Sequence, residues 1–455
     1  MSVVSIERLS ELEEAKRIDP EFYHPKKVKT KKNLEKIGVK KIKDCFYSVR
    51  QIFDPRKHTL SDSTLVFDLS DVKSFFLYGG KTALLSEDVG SAKKVFSQND
   101  VLISRLRPYL KEVSFIGFNG GMKLASTEFI VLRPKTRDYY PEVLFSFLIS
   151  EPIQSILLWS VTGTEHPRFH EDYLLNIKLP NLSLKLQEKV KELVDKAWEL
   201  FLTSQSLYSQ AENLLLEELG LKDFKPKYDL SYTANLSQAF DVHRVDAEYF
   251  QPVYYQLIKH LKNSLEVKPL KTFILDFQKG IEVGSENYQE EGKPFIRVSN
   301  LSIHGFVERD QKYIDEELYQ TLKNTYEPKV GDFLLTKDAT PGIAYVVKEP
   351  IKGIIGSGIL KLRINENEID KECLALCINS MIGRLQIERD GGGSVITHWK
   401  PKQIKNLQIP ILASETQQKI AELVKQSHKA RRKAKELLEE AKRKVEEAIE
   451  KEINK

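Results

Sequence analysis

Two pairs of metal-binding residue types have the four-residue spacing that places side chains on one face of a helix. His166 and His170 flank a proline, which disrupts a helix, so they are predicted to be loop residues and not a metal pair. Cys373 and Cys377 fall within Glu372–Ile387, which is predicted to form a helix. A zinc site would need two further ligands at metal spacing, and none is nearby. We therefore predict that both thiols pack in the core.

Sequence motifs for the common enzymatic reactions are absent. The chain has no Gly-x-x-x-x-Gly-Lys-Ser/Thr phosphate-binding loop, no Asn/Asp-Pro-Pro-Tyr/Phe methyltransferase motif and no Gly-x-Ser-x-Gly nucleophile elbow. Gly356-Ser-Gly358 lacks the helix signature of a dinucleotide site. These absences argue against an enzyme and against a cofactor. A catalytic site dispersed along the chain would leave no motif, so a stand-alone enzyme is kept as an alternative.

Length and composition set the broad class of the protein. A chain of 455 residues exceeds what one hydrophobic core usually organises, so at least two domains are expected. Three cysteines argue against a disulfide framework. There is neither a run of 18 apolar residues nor a secretory leader in Met1–Leu12, so a cytoplasmic protein is expected. The net charge of +5 is only weak support for a nucleic-acid partner.

The strongest signal in the sequence is an internal repeat. Arg17-Ile-Asp-Pro-Glu-Phe-Tyr-His-Pro25 recurs as Arg244-Val-Asp-Ala-Glu-Tyr-Phe-Gln-Pro252, and later matches follow in the same order at offsets of 230 to 232 residues. They pair Asp100–Arg105 with Asp332–Lys337, Ile130–Arg133 with Leu360–Arg363, Gly163 with Gly393, Asn176 with Asn406, Leu179-Pro180 with Ile409-Pro410 and Gln187–Val194 with Gln417–Val424. A collinear series of this kind indicates one unit of about 230 residues used twice.

Each copy has the same predicted layout. Strands are predicted over Asp100–Ser104, Glu128–Leu132, Asp332–Thr336 and Ile343–Val347. These runs contain β-branched and aromatic residues, and Gly and Pro lie between them. A helix is predicted over Pro141–Trp159 in the first copy and over Lys371–Ile387 in the second. A glycine-bearing loop follows each helix: Thr162-Gly-Thr164 and Gly391-Gly-Gly-Ser394. The pattern predicts an α+β fold.

A long helix ends each copy. From Leu186 to Leu214, apolar or small residues recur at alternating gaps of four and three, which is a heptad pattern about 43 Å long. The second copy repeats the pattern from Ile420 to Ala448 with a small change of register. We expect the two helices to pair in antiparallel fashion, although each could instead pack on its own domain. Their length is comparable to one turn of B-DNA, about 34 Å, so they would act as a spacer.

This arrangement resembles the specificity (S) subunit of Type I restriction-modification systems over essentially the whole chain. The most specific pieces are Asp100-Val-Leu-Ile-Ser-Arg-Leu-Arg-Pro-Tyr-Leu110, Ala125-Ser-Thr-Glu-Phe-Ile-Val-Leu-Arg-Pro134 and Lys279-Gly-Ile-Glu-Val-Gly-Ser285, together with the Gln-Lys entry into each long helix. The resemblance implies two similar α/β domains related by internal pseudo-symmetry and joined by two long antiparallel coiled-coil helices. The boundaries expected are 1–182 for the first target recognition domain, 221–412 for a linker and the second target recognition domain, and 183–220 and 413–455 for the spacer helices.

The resemblance also implies a function. Each domain would recognise half of a split target in double-stranded DNA. Two modification subunits would methylate adenine with S-adenosylmethionine, and a separate ATP-dependent restriction subunit would cleave, so this chain would carry no catalysis. A different class of protein, a symmetric scaffold that binds proteins at both ends of a coiled coil, is the alternative.

DNA contacts are expected from basic, amide and hydroxyl side chains at turns and strand ends. Arg and Lys pair with guanine, Asn and Gln with adenine, and further basic residues neutralise phosphates. The candidates are Tyr78, Lys81, Arg105, Arg107, Lys111 and Arg168 in the first copy, and Lys279, Ser285, Asn287, Arg297, Asn300, Lys337 and His398 in the second. Any one of them taken alone could equally be an ordinary surface residue.

Overall fold

The computed structural model divides the chain into two compact units of similar size. The first comprises Met1–Phe201 and Arg432–Lys455, and the second comprises Leu202–Arg431. The structure describes residues 4, 6–8, 12, 17–60, 62–118, 123–308, 310–391 and 398–455. The glycine-bearing loop predicted in the second copy, apart from Gly391, lies outside the described residues.

The first unit is a mixture of short strands and helices. Its helices are α1 Pro25–Ile37, α2 Ile42–Cys45, α3 Pro141–Leu148, α4 Glu151–Leu158, α5 Glu171–Leu175 and the first part of α6 Leu184–Glu218. Its strands are β1 Gly38–Lys41, β2 Phe46–Ser48, β3 Ile52–Phe53, β4 Thr64–Phe67, β5 Val72–Lys73, β6 Phe76–Leu77, β7 Lys81–Ala83, β8 Lys93–Phe96, β9 Val101–Ser104, β10 Val113–Phe115, β11 Lys123–Ser126, β12 Phe129–Pro134, β13 Val161–Thr162, β14 Arg168–Phe169 and β15 Lys178–Pro180.

The second unit also combines short strands with helices, and the order of its central strands and of the helix pair that follows them is the same. Its helices are α7 Leu236–Val242, α8 Pro252–Ser264, α9 Glu316–Tyr326, α10 Lys371–Asn379, α11 Met381–Asp390, α12 Pro401–Lys405 and the first part of α13 Ser414–Ile453. Its strands are β16 Val267–Pro269, β17 Ile274–Lys279, β18 Lys293–Ile296, β19 Leu301–Ser302, β20 Gly305–Phe306, β21 Lys312–Ile314, β22 Phe333–Thr336, β23 Ala344–Val346, β24 Ile354–Ile355, β25 Ile359–Ile364 and β26 Gln408–Pro410.

A four-stranded antiparallel sheet is the centre of each unit. Its strand order is β10-β9-β12-β2 in the first unit and β23-β22-β25-β17 in the second, so equivalent strands occupy equivalent places. The central strands β9 and β22 are buried at every residue. Alternate side chains enter two different cores: Val101 and Ile103 pack into one core and Leu102 into another, as the two-residue period of a strand requires.

A second sheet differs between the units. In the first unit it has five strands in the order β3-β8-β11-β4-β7, and in the second it has three, β21-β18-β24. Each contains one parallel pair, β4 with β11 and β18 with β24. The sequence copies also diverge most over this region, so the shared framework carries a variable sheet.

The repeated Arg17 and Arg244 motifs form the same contacts. Arg17 binds Asp19 and donates to the carbonyl of Val161 at 3.0 Å, while its guanidinium lies 4.1 Å from the Phe22 ring centre. Arg244 binds Asp246, donates to the carbonyls of Arg389 and Asp390, and lies 4.6 Å from the Tyr249 ring centre. The motif therefore ties the entry of each copy to the end of its helical part.

A single helix was predicted in the middle of each copy. This prediction is wrong in one respect, because the segment forms two consecutive helices in each copy. The chain bends by 60° between α3 and α4, and a similar break separates α10 from α11. Ser150 and Ser380 occupy the breaks, and each hydroxyl donates to a carbonyl three residues earlier, at 2.6 and 2.7 Å. A side chain that satisfies the last turn in this way competes with continuation of the helix. The α11 entry is also capped, since the Ser380 hydroxyl accepts from the amide of Ile382.

The two long helices are confirmed, at 35 residues for α6 and 40 for α13. Within the second unit they run antiparallel: Ser204 meets Ser427, whereas Leu214, ten residues later, lies beside Lys419 and Leu423. Within the first unit, Val190, Ala197 and other α6 residues share a core with residues of α13 such as Ala441 and Val445. The predicted α+β fold class, with a repeated domain and long coiled-coil helices, is therefore confirmed.

Two other expectations concern the described residues as a whole. Cys373 and Cys377 are each 3% exposed in the core of the second unit, so their interpretation as core residues is confirmed. Burial raises the pKa of Cys373 to about 12, which keeps it a neutral thiol. No single described helix is long and apolar enough to cross a membrane, and only the bent pair α3 and α4 meets that test jointly.

Candidate DNA-recognition surface

In the first unit, a polar cluster forms where β9 ends. The backbone of Arg105 is held on both sides: its amide donates to the carbonyl of Glu128 at 3.1 Å, and its carbonyl accepts from the amide of Phe169 at 3.2 Å. The next residue, Leu106, forms a β-bridge with Arg168. Three segments distant in sequence therefore converge, and two of the predicted residues, Arg105 and Arg168, become neighbours.

Their side chains share one carboxylate. Nε of Arg105 donates to Glu128 at 3.0 Å, and Arg168 donates through Nε and Nη2 to the same carboxylate at 3.1 and 2.9 Å. Hydrogen bonds from Arg168 lower the pKa of Glu128, and those from Arg105 add to them against the opposing effect of burial. Glu128 is thus ionised at neutral pH. The two arginine side chains are still 42% and 38% exposed.

Further basic residues surround this cluster. Lys94 is only 9% exposed, and this burial lowers its pKa. The positive charges of Arg50 and Arg105 lower the pKa of Lys94 further, whereas the negative charge of Glu171 raises it. Arg50 in turn pairs with Glu171 at 2.8 Å. Lys94, Arg50 and Arg105 therefore lie near one another, so several cations are gathered at one edge of the unit.

Arg107 fixes the neighbouring hairpin loop. Its backbone has a left-handed conformation with φ of 47°, its amide donates to the carbonyl of Pro167 at 2.7 Å, and its Nη2 contacts the carbonyl of Glu165 and Nδ1 of His166 at 3.3 and 3.2 Å. The predicted glycine-bearing loop is the turn of this β13–β14 hairpin. The loop and the end of β9 consequently form one surface.

The second unit has a cluster at the equivalent place, built from other residues. The amide of Lys337 donates to the carbonyl of Gly358, and its carbonyl accepts from the amide of Trp399, both at 2.9 Å. Asp338 forms a β-bridge with His398, as Leu106 does with Arg168. Its carboxylate binds the ammonium of Lys337 and, at 2.8 Å, Nδ1 of His398. Burial raises the pKa of Asp338, but the bonds from Lys337 and His398 outweigh it and the pKa is lowered.

The other first-unit candidates are more scattered. Tyr78 is half-buried, with its ring 5.1 Å from that of Phe201 and the Lys73 ammonium 5.2 Å from its centre. Lys81 is exposed at the start of the edge strand β7. Lys111 is exposed in a left-handed turn after β9, 3.8 Å from Glu151.

In the second unit, one remaining candidate ends a strand of the central sheet and the others lie before or after β18 of the variable sheet. Lys279 is exposed at the end of β17, and Ser285 and Asn287 bound a short 3-10 turn. Arg297 binds Asp310, with 3.0 Å between Nη2 and the carboxylate. Asn300 is 1% exposed, and its amide accepts from the amide of Arg297 and donates to the carbonyl of Val307, so it shapes a turn.

The carboxylates that hold the clusters together were not among the residues predicted from the sequence. Glu128 and Asp338 were absent from the candidates, although both basic partners of each were present. Glu128 stands within the Ala125–Pro134 motif, so its position was visible but its charge was not interpreted. No group of three or more metal-binding side chains occurs among the described residues.

Comparisons with known proteins give one family model and several solved structures that resemble this chain. Residues 274–443 match the model of the Type I restriction modification DNA specificity domain, Methylase_S. No curated protein matches the chain. One similar solved structure is the HsdS subunit of Thermoanaerobacter tengcongensis, with 19% sequence identity, a TM-score of 0.31, and coverage of 91% of this chain and 95% of that one. Another is the Type I restriction-modification system S subunit of M. genitalium, with 14% sequence identity, a TM-score of 0.39, and coverage of 91% of this chain and 95% of that one. A third was solved in work on complex assembly of the type I R-M system, with 19% sequence identity, a TM-score of 0.31, and coverage of 91% of this chain and 96% of that one.

The matched segment covers the second unit from β17 onward and most of α13. The first unit repeats the framework of that segment strand for strand in its central sheet. Residues 274–443 are therefore similar to a Type I restriction modification DNA specificity domain.

Proposed function

We propose that the chain recognises a two-part DNA target, with each unit specifying one part. The observation that carries this proposal is the repeated cluster: the same backbone framework presents Arg105 and Arg168 in one unit, and Lys337 and His398 in the other. An equivalent position with different side chains is what two different half-sites require, because bases are distinguished by the hydrogen-bonding groups offered to their edges.

We propose that partner proteins, and not this chain, catalyse DNA methylation and cleavage. Members of the specificity family are generally non-catalytic, and we propose that two modification subunits methylate adenine while an ATP-dependent restriction subunit cleaves. The isolated chain is expected to bind DNA weakly, with an affinity that falls as salt rises. It is expected to give no methylation when incubated with DNA and S-adenosylmethionine.

The test is selection from random DNA. The complex of this chain with its modification subunits is incubated with a randomised duplex pool, and bound molecules are sequenced. Two specified segments separated by a fixed number of unspecified base pairs support the proposal. A single contiguous segment contradicts it, and binding of partners without any sequence preference favours the protein scaffold instead.

A matched pair of variants assigns each segment to a unit. Lys337→Ala alters the second cluster, and Arg168→Ala alters the first. Each is expected to change preference in one segment only, whereas a change in both segments from either variant argues against division of the target between the units. Lys262→Ala, at an exposed position of α8, serves as the control.

A further inference from the structure

We propose that Arg105 recognises a guanine base and that Glu128 is the positioning residue that orients it, an inference that rests on the proposed recognition of DNA by the first unit. The starting point is the way in which Glu128 binds Arg105. The carboxylate accepts from Nε, at 3.0 Å, and this is the only hydrogen bond of the Arg105 side chain within the described part of the chain. Nη1 and Nη2 are thus left for another partner.

The guanidinium is held in a defined plane. The Arg105 backbone is bonded on both sides, and the Nε bond fixes the orientation of the planar group at the other end of the side chain. Glu128 is itself held by two bonds from Arg168. The side chain is 42% exposed. A guanidinium held in this way has two N–H groups, on Nη1 and Nη2, that can donate in bidentate fashion to O6 and N7 of guanine in the major groove.

Charge favours a base over a phosphate as the partner. Arg105 and Arg168 share the single negative charge of Glu128, which lies within 3.0 Å of Arg105. The carboxylate neutralises one of the two positive charges, which lowers the attraction for a phosphate, whereas it does not oppose two neutral acceptor atoms on a base. Exposed lysines without a carboxylate in contact, such as Lys81, are better suited to phosphates.

The second unit cannot build this arrangement. Gly358 occupies the position of Glu128, since its carbonyl accepts from Lys337 as that of Glu128 accepts from Arg105. A Cβ atom on Gly358 would lie 2.6 Å from Cγ2 of Val298, so a carboxylate side chain there would require Val298 to shift. Lys337 also lacks a planar fork. A guanine contact from an arginine that a carboxylate orients is therefore expected in the first unit alone.

The test uses the assembled complex with its modification subunits and the two-part target found by selection. Arg105→Lys keeps the charge and removes the fork. We expect one position in the first unit's segment to change from guanine-specific to permissive, with a loss of discrimination on the order of tenfold to a hundredfold. The second segment and the salt dependence of binding should stay unchanged.

Glu128→Gln tests the positioning role. It should weaken discrimination at the same position while binding to random DNA stays equal or rises, because a negative charge is removed. A purely structural role would instead lower affinity for all sequences, and Glu128→Asp, which retains a carboxylate, should restore part of the preference. Arg137→Lys, at an exposed site in the same unit, is the control, and thermal unfolding confirms that each variant folds.

The outcomes are distinct. If Arg105→Lys leaves guanine preference intact, or if the first segment contains no guanine that responds to it, the inference is wrong although the two-part target stands. A phosphate contact would appear as unchanged preference in Arg105→Lys with uniform weakening in Arg105→Ala. If the wild-type complex shows no sequence preference, the proposed function itself fails.

Discussion

Asp338 supplies in the second unit the carboxylate that Glu128 supplies in the first, but from a different position in the repeat. Asp338 stands at the place of Leu106, one residue after the basic side chain, whereas Glu128 precedes β12. Both carboxylates bind two basic side chains that come from separate segments. The two units thus keep one framework and vary its polar groups, which allows the recognised bases to differ.

Asp338→Asn should alter recognition in the second unit only. The amide cannot compensate the charge of Lys337 or hold His398 as a carboxylate does, so both side chains lose their orientation. We expect reduced discrimination in one segment of the target, measured by competition between single-base variants of the DNA. Asp241→Asn, at an exposed position of α7, should have no effect. Equal losses in both segments would show that Asp338 acts through general stability.

Lys81→Ala should weaken binding to all sequences alike. The side chain is exposed on an edge strand and is expected to meet a phosphate, which carries no sequence information. Removal of one phosphate contact should reduce the slope of log affinity against log salt by about 1. Fluorescence anisotropy titrations over a range of salt concentrations measure this slope. Lys29→Ala, on the exposed face of α1, is the control, and an unchanged slope for Lys81→Ala would exclude the contact.

The order of the repeat and its central strands could be predicted from sequence because they depend on local patterns. Strands β9 and β22 are short apolar runs, and the heptad gaps mark α6 and α13. The breaks at Ser150 and Ser380 were missed, because both flanking segments have helical character. Pro152, in the first turn of α4, was a visible signal of the first break, since a proline ring without an N–H interrupts a continuous helix.

The candidate surface was harder to predict, because it depends on contacts between distant segments. Arg105, Glu128 and Arg168 are separated by 23 and 40 residues, and no local spacing reveals their shared ion pairs. The side chain of Asn300 illustrates the opposite case. An amide beside a turn suggests a contact with a base, but here both of its ends are bonded to the backbone of the turn.

Ser427 should be sensitive to both smaller and larger replacements. Ser204 and Ser427 are fully buried between α6 and α13 in the second unit; the Ser427 hydroxyl lies 3.1 Å from that of Ser204 and donates to its carbonyl at 2.7 Å. Ser427→Ala should lower the free energy of unfolding by about 1 kcal/mol, through the lost hydrogen bond. Ser427→Leu should lower it by about 1–3 kcal/mol, because the close approach leaves no space.

Urea denaturation of the full chain measures these changes, with Ser209→Ala at an exposed site of α6 as the control. An increase in stability for Ser427→Leu would mean that the helices are not closely packed at this point.

His428 is half-buried on α13 in the second unit, with its ring 5.7 Å from that of Tyr345 and 6.1 Å from that of His304. Burial lowers its pKa to about 3, and the positive charges of Lys348 and Arg431 contribute. In the unfolded chain the same imidazole binds a proton near pH 6.5. Between these values the unfolded state holds more protons, so its free energy falls relative to the folded state as the pH decreases.

We therefore predict that the free energy of unfolding decreases as the pH is lowered from 7 to 5, and that His428→Gln makes this dependence shallower. At pH 5, which is about 1.5 units below the unfolded value, the contribution of His428 should be about 2 kcal/mol. Urea denaturation at several pH values gives the slope for each protein, and the slope is informative even if the variant is less stable at pH 7. His243→Gln replaces an exposed histidine of the same unit and should keep the wild-type slope. Identical slopes for wild type and His428→Gln would mean that His428 is protonated in the folded protein as readily as in the unfolded one.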